Sequence, residues 1–165
     1  IALHLGIDKA KIKAAVEAFL GVKRRFQLVL ATESHVVIDD YAHHPEELRA
    51  CIGAVKMLYP NKKLTVVFQP HLFTRTRDFA DAFAEVLTDV QHLILLDIYP
   101  ARELPIEGIT SSYLLEKVGE TEKELCSLEN LEGRIDQLKP ELLLMVGAGN
   151  IDTKVEPIKN LLSHA

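Results

Sequence analysis

The sequence contains only two cysteines, Cys51 and Cys126, and no C-x-x-C pair. Zinc knuckles and thioredoxin-type redox sites need closely spaced cysteines, so the sequence indicates neither. No apolar run approaches the length that is needed to span a bilayer. Basic residues are not in excess either, because 24 acidic residues outnumber 19 basic ones and the net charge is -5. This balance argues against a nucleic-acid-binding surface but leaves room for local basic pockets.

Two further absences concern phosphate binding and targeting. The pattern G-x-x-x-x-G-K-[ST] occurs nowhere, so the chain cannot hold a triphosphate as a P-loop does. The first residues, IALHLGID, include neither an initiator Met nor a basic region, and they are not a signal peptide. They are typical of the middle of a protein, and we expect the chain to be a piece of a longer one.

What is present is the composition of one globular domain. The chain has 165 residues, of which 48% are hydrophobic and 26% are charged. This is enough for a domain with a real core, and it is not the composition of a disordered chain. Cys51 lies on the apolar stripe of a predicted helix, and we expect it to be a buried free thiol.

Apolar runs and breaker residues predict alternating strands and helices. QLVLA and HVVID, separated by TES, are typical of a hairpin. LTVVFQ, HLILLDI and ELLLMVG lack polar alternation, as expected of strands that are covered on both faces, and ELCSL is a weaker strand. The predicted helices cover 8–21, the segment after Pro45, about 75–88, SYLLEKV, NLEGRIDQLK with a break at Gly133, and NIDTKVEPIKNLLSHA with an interruption at Pro157. This order predicts an α/β fold with a mostly parallel sheet.

The unusual residues follow the predicted strands. DDYAHHP, QPH, YPARE and GAGN each come directly after a strand, whereas the opposite strand ends carry the plain turns NKK, DVQ and KPE. In parallel sheets, ligands bind beyond the carboxyl ends of the strands. We therefore predict a binding site at that edge.

The stretch DDYAHHP admits several interpretations. An all-protein zinc site is disfavoured, because adjacent histidines in a turn rarely reach one ion and no H-E-x-x-H spacing occurs. An N-cap cluster before Pro45 would be purely structural, and we favour that interpretation for Asp39. For Asp40, Tyr41 and His43 we favour function, since a carboxylate can accept bonds from a ribose and a tyrosine ring offers a flat face to a base.

Two groups of basic residues in the sequence are candidates for binding an anionic ligand. The cations of GVKRRF could complement a helix dipole or reach a phosphate or carboxylate. Arg75, beside His71 at a helix start, is better explained as a carboxylate anchor, whereas Arg77 is explained by solvation alone. GAGN is a weak phosphate-binding signal, and close backbone packing explains its glycines equally well.

Five motifs in one order and spacing, GVKRRF, DDYAHHPEEL, FQPHLFTRTRDF, YPARELPIEGITS and GAGNI, resemble the C-terminal domain of the Mur ligase family over essentially the whole chain. Within the family, QPH followed by TR is similar to the members that add L-alanine to UDP-N-acetylmuramate. The members that recycle murein tripeptide share the D-x-A-H-H-P corner but differ after the next strand.

The resemblance implies a single domain over residues 1–165, with a three-layer Rossmann-like fold, helices on both faces of the sheet and one antiparallel edge strand. It implies ATP-dependent amide formation through an acyl phosphate, in the cytoplasm, with no nucleic-acid or membrane partner. UDP-binding and ATPase domains of the same chain are expected outside this sequence. The ATPase domain would hold most of the Mg²⁺ coordination, no metal ligand is assigned here, and the isolated domain would be inactive.

The resemblance also implies residue roles. Arg25 and Asp40 would contact ATP, with Asp40 on the ribose, and Tyr41 would lie near both adenine and the amino acid. His43 is the candidate catalytic residue, close to the reacting phosphate and alanine.

His71 and Arg75 would hold L-alanine, with Arg75 on its carboxylate. Leu72 departs from the pattern, because many relatives have Arg there, and this leaves more of the anchoring to Arg75. Two other classes stay open: a stand-alone nucleotide- or amino-acid-binding module, and an interaction domain in which the strand-end cluster is structural.

Overall fold

A computed structural model describes residues 1–19 and 21–163 of the chain, and within them six strands form one sheet. The strand order is β1-β2-β6-β3-β4-β5. The strands are β1 (Gln27–Ala31), β2 (Val36–Asp40), β3 (Leu64–Phe68), β4 (His92–Leu96), β5 (Glu122–Cys126) and β6 (Leu142–Val146).

Strand pairing confirms the predicted topology. β1 pairs with β2 antiparallel, and the remaining neighbours all pair in parallel. The TES segment is therefore a hairpin connection, and β1 is the antiparallel edge strand. Because β2, β6, β3 and β4 are parallel, their carboxyl ends meet at one edge of the sheet.

Helices connect the strands, and none of the described helices is long and apolar enough to cross a membrane. They are α1 (Lys9–Glu17), α2 (Pro45–Leu58), α3 (Phe73–Asp78), α4 (Ala80–Thr88), α5 (Ser111–Lys117), α6 (Leu131–Leu138) and α7 (Val155–Ser163), with a 3-10 helix over Asn150–Lys154 before α7.

The sheet is buried on both faces, which makes three layers. Alternate residues of the strands point to opposite sides, so that Val66 and Val67 of β3 belong to separate apolar clusters. One cluster is closed by residues of α2, α4 and α5, and the other by residues of α6 and α7. Cys51 lies in the first cluster as a buried free thiol, as predicted.

Three predicted helix details were wrong. The helix over 75–88 is two helices, α3 and α4, separated by Phe79, whose backbone is not helical (φ -118°, ψ 17°). Gly133 does not break α6, because an interior glycine weakens a helix without preventing it. Pro157 does not interrupt α7, because it lies in the first turn, where backbone N–H groups lack intrahelical acceptors anyway.

α1 stands apart from both clusters. Asp8 caps it as predicted, accepting bonds from the N–H groups of Ala10 and Lys11, but the helix ends at Glu17, before Gly21. α1 buries none of its residues, and Val16 is largely exposed. Leu20, His164 and Ala165, which the predicted first and last helices include, lie outside the described residues.

Candidate functional site

A row of aromatic rings crosses the carboxyl edge of the sheet. The ring of His43 lies 5.3 Å from that of Tyr41 and 5.9 Å from that of His71, centroid to centroid. The His71 ring in turn stacks on Tyr99 at 5.6 Å and 22°. The ends of β2, β3 and β4 thus bring together the residues that the sequence placed after separate strands.

Asp40 fixes the corner at the end of β2. Its Oδ1 accepts a hydrogen bond from the N–H of Ala42 (2.7 Å), and its Oδ2 accepts one from the N–H of Phe26 (2.6 Å). An ionised carboxylate has about four acceptor directions, so each oxygen retains one. Asp40 therefore has a structural role and can still accept bonds from ligand hydroxyls.

Arg24, which the sequence did not single out, joins β2 to the turn after β6. Its Nη2 donates to the carbonyl oxygens of Gly147 (2.7 Å) and Gly149 (3.2 Å), and Nη1 lies 3.2 Å from Asp152. The guanidinium carbon also lies 4.8 Å from the centroid of the Tyr41 ring. Arg24 thus holds Tyr41 and the 147–149 turn, although its buried Nε has no hydrogen-bond partner among the described residues.

The side chain of Arg25, in contrast to that of Arg24, is not held by other residues. It is exposed, and within the described residues its guanidinium makes no hydrogen bond or ion pair. It lines a groove of about 640 Å³ together with Lys23 and Phe26. Of the two adjacent arginines, Arg25 is therefore the one that is free to meet an anionic ligand.

Asp39 is buried directly behind this corner, with 2% of its surface exposed. Burial raises the pKa of its carboxyl group to about 6, although the positive charge of Arg24 acts in the other direction. Its Oδ1 has no hydrogen-bond partner among the described residues. The N-cap role suggested for Asp39 is not seen, because Glu47 accepts the N–H groups of His43 and His44 at the start of α2.

His43 is oriented by two acceptors. Its Nδ1 lies 2.8 Å from the carbonyl oxygen of Tyr41 and 3.4 Å from Oε2 of Glu47. Glu47 also accepts bonds from the N–H groups of His43 (2.9 Å) and His44 (3.2 Å) at the start of α2. Partial burial opposes ionisation of Glu47, but these two hydrogen bonds hold its pKa below the ordinary value.

His71 and Arg75 form a second unit at the end of β3. Nη1 of Arg75 donates to Nδ1 of His71 (3.2 Å) and lies 3.4 Å from the carbonyl oxygen of the same residue. Burial lowers the pKa of His71, and the charge of Arg75 lowers it further. Both effects disfavour the protonated form of His71, and the local positive charge resides on Arg75.

The loop after β4 holds this unit in place. Leu72, in the N-cap position of α3, has φ +74° and provides no side-chain cap, and its N–H donates to the carbonyl oxygen of Tyr99 (2.9 Å). Glu103 supplies the missing cap, since its carboxylate accepts bonds from both the N–H and the hydroxyl group of Thr74. These bonds lower the pKa of Glu103. The sequence drew attention to the motif YPARE but gave no reason to select Tyr99 or Glu103.

The GAGN turn is built for close packing. A Cβ atom on Gly149 would lie 2.4 Å from Oε1 of Gln69 and 2.7 Å from Tyr99. The same Gln69 oxygen accepts a bond from the N–H of Ile151, and the N–H of Gly147 donates to the carbonyl oxygen of Asp40. The packing interpretation of these glycines is therefore the better one.

Within the described part of the chain, no three His, Cys, Asp or Glu side chains are grouped so that they could hold a metal ion. Two carboxylates of this edge, those of Asp40 and Glu103, already accept backbone hydrogen bonds.

Comparison with known families decides the assignment. The family model described as "Mur ligase, glutamate ligase domain" matches residues 24–149, which is most of the chain. The chain belongs to the Mur ligase family. The match spans all six described strands and the candidate site residues from Arg25 to Arg75, and it leaves out α1, the 3-10 helix and α7.

Individual relatives agree with this Mur ligase assignment. The chain is 49% identical over 164 residues to the UDP-N-acetylmuramate–L-alanine ligase of Christiangramia forsetii, covering 99% of this chain and 36% of the relative. It is 52% identical over 157 residues to the enzyme of the same name from Parabacteroides distasonis, covering 95% and 34%.

A solved structure supports the fold. The UDP-N-acetylmuramate–alanine ligase of Thermotoga maritima matches with a TM-score of 0.80 and 27% identity, over 99% of this chain and 35% of that one. The Mur ligase chain described here therefore spans about a third of the length of the relatives that it matches.

Proposed function

We propose that this domain supplies the amino-acid site of an ATP-dependent ligase that joins L-alanine to UDP-N-acetylmuramate through an acyl phosphate. The observation that carries the proposal is the hydrogen-bonded pair of His71 and Arg75, with the ring of His43 5.9 Å from that of His71. The names of the Christiangramia and Parabacteroides relatives support the choice of substrates.

Arg75 is suited to bind the carboxylate of the amino acid. A guanidinium offers several N–H donors in a plane and can bind a carboxylate through two hydrogen bonds. Here Nη1 is turned toward His71, so the rest of the guanidinium is available to a ligand. Tyr41 and His71 would then border the small side chain of alanine.

The nucleotide would lie on the other side of Tyr41. Asp40 retains acceptor directions for ribose hydroxyls, the partly exposed Tyr41 ring offers a face to the base, and Arg25 is an exposed cation. ATP would supply the phosphoryl group that activates the muramoyl carboxylate, and Mg²⁺ would be held mainly by the ATPase domain of the same protein. This domain would close over both ligands.

Closure explains why the domain is not expected to act alone. The amine and the acyl phosphate must be brought together, and such positioning can contribute roughly 7–11 kcal/mol. The chain covers about a third of its relatives, so the other reactant must be held by other parts of the protein. Hinged movement of domains is the usual way to reach such geometry.

The test compares the full-length protein with the isolated chain. We expect the full-length protein to release phosphate from ATP only when Mg²⁺, UDP-N-acetylmuramate and L-alanine are all present, whereas the isolated chain releases none. Robust turnover by the isolated chain would refute the proposed division of labour. Turnover by the full-length protein with murein tripeptide but not with L-alanine would instead identify a recycling ligase.

A further inference from the structure

We infer that Arg24 is a positioning residue for the nucleotide, which acts on ATP through its neighbours Arg25 and Tyr41 without touching ATP itself. The inference rests on the proposed function, which places Arg25 and Tyr41 beside ATP. Its basis is that Arg24 ties together three separate segments of the chain: its own strained backbone, the end of β2 and the turn after β6.

The backbone on both sides of Arg25 is strained. Arg24 (φ +58°) and Phe26 (φ +46°) lie in the left-handed region, which residues other than glycine rarely adopt. Such conformations persist only where surrounding contacts fix them. Two further residues of this kind, Leu72 and Ala101, also lie in loops at the carboxyl edge of the sheet. Backbone strain is therefore concentrated at the candidate site.

Hydrogen bonds to the end of β2 hold the strained segment. The carbonyl oxygen of Arg24 accepts a bond from the N–H of Tyr41 (2.7 Å), and the N–H of Phe26 donates to Oδ2 of Asp40 (2.6 Å). Arg25 lies between these two anchors, and its side chain is exposed. The place from which Arg25 can reach a ligand is therefore set by the residues on either side of it.

The side chain of Arg24 joins the turn after β6 to the same unit. Nη2 donates to the carbonyl oxygens of Gly147 (2.7 Å) and Gly149 (3.2 Å), while Nη1 lies 3.2 Å from Asp152. The guanidinium carbon lies 4.8 Å from the centroid of the Tyr41 ring, which is within the range of a cation–π contact. One guanidinium group therefore fixes the ring of Tyr41 relative to the turn.

These contacts leave Arg24 itself unsuited to bind a phosphate. Both Nη atoms already have oxygen partners, and only 22% of the side chain is exposed. Its positive charge lies beside Asp152 and also acts on the buried Asp39. A lysine at this position would keep the charge, but its single nitrogen cannot occupy the places of both Nη1 and Nη2. The charge and the hydrogen-bond geometry of Arg24 can therefore be tested separately.

Kinetics of the full-length protein test this role. We expect Arg24→Met to raise the KM for ATP by about 10-fold or more, because Arg25 and Tyr41 lose their fixed positions. The KM for L-alanine should change much less, since His71 is held by the loop after β4 instead. Arg24→Lys should raise the KM for ATP to a similar extent, because the lysine restores the charge without the geometry.

Arg49→Met is the matched control for the loss of one arginine. Arg49 is exposed on α2 and pairs with Glu85 (3.2 Å), so both KM values should stay at the wild-type level. Arg24→Lys alone decides the question if Arg24→Met does not fold, since it keeps a positive charge beside the two aspartates.

A second experiment shows whether Arg24 acts through its neighbours. Effects of independent residues on binding multiply, whereas those of residues that act through one another do not. In a protein that already carries Arg25→Met and Tyr41→Leu, Arg24→Lys should therefore raise the KM for ATP very little further.

Three results would overturn the inference. A wild-type KM for ATP in Arg24→Lys would mean that only the charge is needed, and equal increases in both KM values would mean a general structural role. An undiminished effect of Arg24→Lys in the protein that lacks Arg25 and Tyr41 would mean that Arg24 acts on ATP independently of them. If the wild-type protein forms no amide from UDP-N-acetylmuramate, L-alanine and ATP, the proposed function fails instead.

Discussion

Arg75, in the first turn of α3, donates a hydrogen bond from Nη1 to Nδ1 of His71, which precedes the helix, over 3.2 Å. The contact does two things at once. It fixes the direction of the guanidinium, and it disfavours protonation of the imidazole, because burial lowers the pKa of His71 and the positive charge of Arg75 lowers it further. A ligand carboxylate can therefore bind to one positively charged group, the guanidinium of Arg75, whose direction is fixed.

The first prediction concerns this cation. In the full-length protein, Arg75→Ala should raise the KM for L-alanine by about 10- to 100-fold, because a hydrogen bond to a charged group contributes roughly 1.5–3 kcal/mol. The KM for ATP should hardly change. Initial rates at varied alanine and varied ATP measure the two constants separately.

Arg77→Ala is the control for this experiment. Arg77 lies on the same short helix but is exposed and paired with Asp78 (2.7 Å), so both constants should stay at their wild-type values. Equal increases in the two KM values for Arg75→Ala would remove Arg75 from the amino-acid pocket.

The second prediction concerns the cap of α3. Glu103→Ala removes the acceptor for the N–H and hydroxyl groups of Thr74, so the first turn of α3, which carries Arg75, should lose its fixed position. The KM for L-alanine should rise. Glu103→Gln retains an acceptor oxygen at the same place and should restore most of the affinity.

This pair of variants separates the cap from the charge. If Glu103→Gln raises the KM for L-alanine as much as Glu103→Ala does, the negative charge matters and the cap does not. Thermal unfolding of both variants should be recorded alongside, since a general loss of folding would affect the KM for ATP as well.

The strands were predictable because burial on both faces leaves an unambiguous pattern. LTVVFQ and ELLLMVG contain no alternation, and β3 and β6 are indeed central and fully buried. The clustering of site residues was predictable for the same reason, since the carboxyl ends of parallel strands must meet at one edge.

Contacts between distant loops were not predictable. Adjacent Arg24 and Arg25 are indistinguishable in sequence, yet one binds the 147–149 turn and the other is exposed. The sequence around Glu103 gives no sign that its side chain caps a helix that begins 30 residues earlier. The break between α3 and α4 was missed because Phe79 continues the apolar pattern of a single helix.

The third prediction is a pH dependence of stability. Folding raises the pKa of Asp39 from 3.8 to about 6, so the unfolded chain releases this proton first as the pH rises. The ionised carboxylate thus lowers the free energy of unfolding progressively between pH 3.8 and about 6, and by a constant amount above that range. Asp39→Asn should be more stable than the wild type by up to about 3 kcal/mol near neutral pH.

Urea unfolding of the 165-residue chain at a series of pH values measures this difference. The advantage of Asp39→Asn should disappear as the pH falls below 3.8, where the carboxyl group becomes protonated in both states. Asp136→Asn, which changes an exposed carboxylate on α6, controls for the loss of one charge and should show no such trend. A variant that is less stable at neutral pH would mean that the attraction between Asp39 and Arg24 outweighs burial.

The last prediction concerns the turn that brings β6 and β3 together. Gly149→Ala places a methyl group within 2.4 Å of Oε1 of Gln69 and 2.7 Å of Tyr99, and neither can retreat easily, because Gln69 is bonded to Ile151 and Tyr99 stacks on His71. We expect a loss of about 1–3 kcal/mol in the free energy of unfolding.

Gly133→Ala is the control, since no atom lies within 4 Å of the added group. Because Gly133 lies inside α6, Gly133→Ala should raise the free energy of unfolding by about 0.5–1 kcal/mol. Equal stability of the two variants would show that the turn can open, and Tyr99 would then not be held against His71 by packing.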